Sequence, residues 1–123
     1  ARKIGDAGEV IALNWELHQN RSAKLMPPNN EGYDIESGSE GNIRYIEVKS
    51  LDGAWGNRGV GVSRAQFEAA LHKGEGWWLY VVEHALDPSN ALVHRFQNPF
   101  FRVDEYRFDA GWLQVLEEKE EIE

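Results

Sequence analysis

Asp34, Glu47 and Lys49 are charged residues inside runs that otherwise read as β-strands, EGYDIES at 31–37 and NIRYIEVKS at 42–50. A charge in a packed sheet is costly unless it is paired, hydrated or bound to a metal. Alternation puts Tyr45, Glu47 and Lys49 on one face of the second strand and Arg44, Ile46 and Val48 on the other. Ile46 and Val48 then enter the core. In the preceding strand Asp34 points opposite to Tyr33 and Ile35, so neighbouring strands bring Asp34, Glu47 and Lys49 to one spot. Two converging carboxylates are hard oxygen donors suited to Mg²⁺ or Mn²⁺, and an adjacent ammonium stabilises negative charge. The competing explanation is a salt-bridge ladder on a solvent-facing sheet, contributing about 0.2–1 kcal/mol per pair. It accounts for Lys49 but gives no reason for two acids.

The flanking sequence supplies elements to position these groups. Val10, Ile11, Leu13, Trp15 and Leu17 predict a first helix over about residues 5–22, with Asp6 and Glu9 near its N-terminal end, where the dipole favours acids. KLMPPNNEG reads as a loop. YDIES, the turn GSEGN and IRYIEVKS predict a hairpin. LDGAWGNRG is a glycine-rich loop, and VGV at 60–62 a short strand. SRAQFEAALHKGEG is a second helix with Ser63 as N-cap, Gln66 three residues on and a glycine stop. WWLYVVEHAL reads as a central buried strand, placing Trp77, Trp78 and Tyr80 in the core. DPSN turns the chain and ALVHRFQ returns as a strand. Asn98-Pro99 starts a short helical turn before another extended piece, and LQVLEEKEEIE reads as helix. The order predicts an α/β fold with a central mixed β-sheet flanked by helices, one domain over 1–116 and an acidic tail at 117–123.

The arrangement D-x12-E-x-K resembles the signature of the PD-(D/E)XK phosphodiesterase superfamily, with Tyr33 where the superfamily name has Pro. Glu9 in GDAGE stands where many members carry a further acid, and Gln66 in SRAQ where several nuclease branches carry a glutamine. More narrowly, GYDIES…YIEVKS…VSRAQFEAA…WWLYVVE is similar to the domain at the C-terminus of plant NO VEIN proteins, whose relatives occur in helicase-like and restriction-associated proteins. The resemblance implies a restriction-endonuclease-like core and a nuclease hydrolysing DNA phosphodiesters, an endonuclease rather than an exonuclease. The expected setting is a restriction, defence or repair protein, with a helicase-type partner domain. It further implies Mg²⁺ or Mn²⁺ held by Asp34, Glu47, the Val48 backbone carbonyl and Glu9, with Lys49 and Gln66 completing the catalytic set. Glu9 is equally explained by the helix dipole, and Gln66 by the capping box with Ser63. The alternative on the same fold is a catalytically silent module that binds nucleic acid or protein.

Trp55 in the glycine-rich loop is a candidate for base stacking, with loop packing as its rival. Arg58, Arg64 and Lys73 are candidates for phosphate contact. The net charge of −8 weakens non-specific nucleic-acid binding, but the last seven residues, with five Glu and one Lys, carry half of it. The absence of cysteine excludes disulfides and thiolate chemistry and suits a reducing cytoplasm. His18, His72, His84 and His94 form no short metal-binding spacing. No run of about eighteen apolar residues predicts a membrane span, and no secretory leader opens the chain. A homodimer is left open.

Overall fold

A computed structural model of the chain describes residues 2–57 and 59–102. Helix α1 spans Arg2–His18, followed by strands β1 (Ser22–Leu25), β2 (Ile35–Ser39) and β3 (Asn42–Ser50). Helix α2 (Arg64–Lys73) leads to β4 (Trp77–Glu83) and β5 (Leu92–Gln97), with single 3₁₀ turns at Gly74–Gly76 and Pro99–Phe101. The five strands lie in sequence order in one sheet. β3 and β4 are parallel, and the other neighbouring pairs are antiparallel. A parallel pair needs a crossover, and the glycine-rich loop with α2 provides it. The expected α/β architecture, a mixed sheet flanked by helices, is what the chain adopts.

Both faces of the sheet are covered. On one, Ile35, Ile46, Val48, Tyr80 and Val82 pack with Ala12 of α1. On the other, Trp77, Leu79 and Val81 pack with Ala70 of α2, and Tyr45, Trp55 and Phe96 lie against them. Trp77 and Tyr80 are fully buried, as their place in the hydrophobic run predicts, while Trp78 is partly buried on the α1 side.

Three local expectations are corrected. The first helix ends at His18, not near residue 22, because Asn20 turns into the left-handed region at φ 61°. Arg21 N–H folds back onto the Glu16 carbonyl at 3.4 Å. Residues 22–25 are then strand β1, whose mostly exposed edge position carries little hydrophobic signal. Residues 60–62 form no strand. Because α1 begins at Arg2, Glu9 sits beyond the first turn, so the dipole does not explain it. The extended piece and helix expected beyond residue 102, and the acidic tail at 117–123, lie outside the described residues.

A buried ionic cluster fastens α1 to the sheet. Glu16 is fully buried. It accepts from Tyr80 Oη at 2.7 Å and from Arg44 Nη1 at 3.2 Å, with Arg21 Nε 3.5 Å away. Burial first, and then the neighbouring Arg44 charge, lower the Arg21 pKa. Arg44 also stacks on Trp78, 4.9 Å from the ring centre. Among the described residues no helix is long and apolar enough to cross a membrane.

Gly8 sets how closely α1 approaches the end of β3. A Cβ at that position would stand 1.8 Å from Ser50 Oγ and 2.6 Å from Ser50 Cβ. Gly8→Ala therefore overpacks this contact at a cost of about 1–3 kcal/mol, more than the gain of up to about 1 kcal/mol in helix propensity. The expected outcome is a lower urea midpoint. A midpoint at or above wild type would show that α1 does not depend on this approach.

Candidate functional site

Asp34 precedes β2 by one residue, and its backbone is tied on both sides. Its N–H donates to the Ile46 carbonyl at 2.7 Å, and its own carbonyl accepts from Met26 N–H at 2.8 Å. Strand alternation does not reach it. Tyr33 packs edge-on against Tyr45 at 5.1 Å, whereas Ile35 enters the core on the α1 side. Upstream, Gly32 passes α2 with φ +91°, and a Cβ there would stand 2.4 Å from that of Ala69. Its carbonyl accepts from Trp77 Nε1 at 2.9 Å. The Asp34 carboxylate is thereby aimed along the sheet, where Oδ2 accepts from Val48 N–H at 2.9 Å. In an extended strand the N–H and C=O of one residue point to the same side, so the Val48 carbonyl faces the Asp34 side of β3.

Glu47 projects from β3 toward the α2 face and is only 4% exposed. A ladder on a solvent-facing sheet is thus excluded for this residue. Burial first, and next the charge of Asp34, push its carboxyl up to about 8, against the opposing pull of Lys49. The Glu47 and Asp34 carboxyls are hydrogen-bond neighbours. Glu9, on α1, feels the charge of the same aspartate. Burial, then Asp34, then Asp6 push its carboxyl up to about 7. Asp34 is therefore the charge common to both glutamates.

Lys49 Nζ lies 3.4 Å from Glu47 Oε2 and donates to Gln66 Oε1 at 2.9 Å. The same Gln66 oxygen accepts from Ser63 N–H at 2.8 Å, and Ser63 Oγ accepts from Gln66 N–H at 3.2 Å. Both explanations of Gln66 hold together, since one side chain closes the capping box of α2 and fixes the lysine. The structure thus brings together Asp34, Glu47, Lys49 and Gln66, with Glu9 of α1 within electrostatic reach of Asp34. Among the described residues no three His, Cys, Asp or Glu side chains form a group that could hold a metal ion as they stand.

The nucleic-acid candidates are not gathered. Trp55 packs against Phe96 and His94, with ring centres 5.8 and 5.6 Å apart. Arg64 is exposed and pairs with Glu68 at 2.9 Å. Lys73 Nζ sits 4.3 Å over the Tyr45 ring at the other end of α2, about 14 Å along the helix from Arg64. Arg58 lies outside the described residues.

Two groupings escaped the sequence reading. Glu16 could have been found from the four-residue spacing of Gly8, Ala12 and Glu16, which sets an acid on a stripe of small residues. The pairing of Glu83 with His94 depends on the β4–β5 register and has no local signal. Glu83 Oε1 also accepts from Trp55 N–H at 2.6 Å. The hydrogen bond from His94, then that from Trp55, hold the Glu83 carboxyl below its usual range.

Among known proteins, a family model described as "Protein NO VEIN, C-terminal" matches residues 8–95, which include Glu9, Asp34, Glu47, Lys49 and Gln66. No curated protein and no solved structure matches the chain significantly.

The raised carboxyls give stability a definite pH dependence. In the folded chain Glu9 and Glu47 keep protons up to about 7 and about 8, against 4.5 when unperturbed. The folded state thus binds more protons than the unfolded one across that window, and stability falls as pH rises through it. Urea midpoints of Glu47→Gln should fall less between pH 5 and 8.5 than those of wild type. Equal pH profiles would mean that Glu47 is ionised throughout.

Proposed function

The chain belongs to the NO VEIN C-terminal family, and on that premise we propose that it is a divalent-cation-dependent nuclease domain hydrolysing DNA phosphodiesters. Its active site consists of Asp34, Glu47 and Lys49 with Glu9 and Gln66, on a restriction-endonuclease-like core of the PD-(D/E)XK type. A family defined by the C-terminal part of a protein also fits a module within a larger one, here a restriction, defence or repair protein. The observation that carries the reading is Glu47, buried beside the Asp34 carboxyl and 3.4 Å from a lysine that Gln66 fixes.

The donor set fits a hard cation. Asp34, Glu47 and Glu9 offer only oxygens, and their mutual repulsion is what a divalent charge relieves. Asp34 and Glu47 would hold Mg²⁺ or Mn²⁺, with the Val48 carbonyl on the same side of β3 and Glu9 from α1. When bound, the ion supplies Lewis-acid polarisation of a phosphate and activation of a water. The chain's own residues do the rest. Glu47 and Glu9 would have to give up their protons to hold such an ion, so its affinity would rise with pH through about 7 to 8. Lys49, its Nζ anchored by Gln66, presents a fixed ammonium to the charge that develops on the phosphate.

A second reading is favoured by the looseness of the acids, which form no three-residue metal group as they stand, and by the net charge of −8. It is a silent binding module on the same fold, which binds nucleic acid or protein without cutting.

Incubation with plasmid and single-stranded DNA and Mg²⁺ or Mn²⁺ separates the two. Cleavage is expected, abolished by EDTA and reduced at least about 100-fold by Asp34→Ala, Glu47→Ala or Lys49→Ala. Gln66→Ala should cost about 10-fold, because the ammonium remains but loses its anchor. Binding that is indifferent to metal, with no cleavage, would establish the silent module.

A further inference from the structure

Lys49 of β3, Val81 of β4 and His94 of β5 are cross-strand partners, so their side chains share the α2 face of the sheet. Two strand spacings separate the ends of this row, about 10 Å. His94 is held by Glu83, which receives its Nε2. Glu83 is 9% exposed and is itself fixed by Trp55 N–H. The His94 side chain is 39% exposed, and its Nδ1 has no partner among the described residues. A buried carboxylate that fixes one imidazole nitrogen leaves the other as a directed donor whenever the ring is protonated. Such a group beside the row's lysine suits an anionic ligand oxygen better than a structural role, which the Glu83–Trp55 contact fills already.

We propose that His94, oriented by Glu83, binds a second phosphate of the nucleic-acid strand whose scissile phosphate lies at Lys49. The proposal rests on the nuclease reading for the first phosphate and adds where the same strand continues, across the sheet toward β5. The rise of about 3.4 Å per nucleotide is only the axial part of the separation between phosphates of one strand, so a span of about 10 Å corresponds to a phosphate one or two nucleotides away. Glu83 holds this ring, His84 acts on Glu83 from the end of β4, and Lys49 lies across Val81. Arg95 lies on the opposite face, stacked on Trp15 at 3.9 Å. The contact needs the protonated ring, which acid supplies.

The experiment measures binding of a fluorescent single-stranded oligonucleotide without divalent metal, at several salt concentrations, at pH 5.5 and 8.5. Wild type, His94→Gln and His94→Lys are compared, with a metal-dependent cleavage assay alongside. At pH 5.5 wild type should bind more tightly than His94→Gln, with a salt slope steeper by about 0.7, the value for one phosphate contact on a single strand. At pH 8.5 the two should coincide, while His94→Lys keeps the steeper slope at both. This pattern supports the proposal whether or not cleavage is seen. Cleavage with identical slopes for wild type and His94→Gln overturns the proposal and leaves the nuclease reading intact. No binding at low salt overturns it as well. The lysine variant guards against misfolding, since an unfolded protein would not retain the slope.

Discussion

Glu47 is removed from water on the α2 side of β3, next to the carboxylate of Asp34, and the geometry around it follows from making that burial tolerable. A lone ionised carboxylate in such a place is unfavourable by several kcal/mol. The chain answers with a lysine at 3.4 Å and a proton retained to about pH 8. Lys49 in turn cannot be left to wander, and Gln66 at the start of α2 fixes it. The crossover helix, the parallel β3–β4 pair and the approach of α1 at Gly8 all converge on this short stretch of β3. A site whose acids repel one another is under electrostatic tension, and tension of that sign is relieved by a cation.

The opposite face of the sheet handles its own buried acid differently. Glu16 is fully buried but meets two arginines and a tyrosine hydroxyl, so its charge is compensated locally. The contrast between the two faces is informative. Where the role is to hold α1 against the sheet, acids and bases are matched. Where chemistry is proposed, Glu47 and Asp34 share one lysine-side neighbourhood and the acids outnumber the base.

Most of this arrangement could be read from the sequence, for identifiable reasons. The hairpin was visible because Ile35, Ile46 and Val48 alternate with polar residues, and α2 because Ser63 and Gln66 spell a capping box. The shared neighbourhood of Asp34, Glu47 and Lys49 followed from pairing those two strands, although Asp34 reaches it by preceding β2, not by alternation within it. What escaped depended on longer-range information. β1 is a short, exposed edge strand whose residues show no burial pattern, and the first helix stops at a left-handed Asn20 that no periodicity announces. Glu83 and His94 meet only once β4 and β5 are in register. Trp55, conspicuous among glycines, packs against Phe96 rather than standing apart from the core.

The double duty of Gln66 has a consequence for the order in which the domain assembles. The hydrogen bond from Val48 to Asp34 lies within a continuous antiparallel meander, where contacts are local and form early. The contact from Lys49 to Gln66 exists only after the crossover has closed and α2 has nucleated, and helix nucleation itself draws on the Ser63–Gln66 box. The acid pair thus draws only on the meander, whereas the lysine's anchor draws on the crossover as well, so loosening α2 would free the ammonium from Gln66 without parting Asp34 from β3.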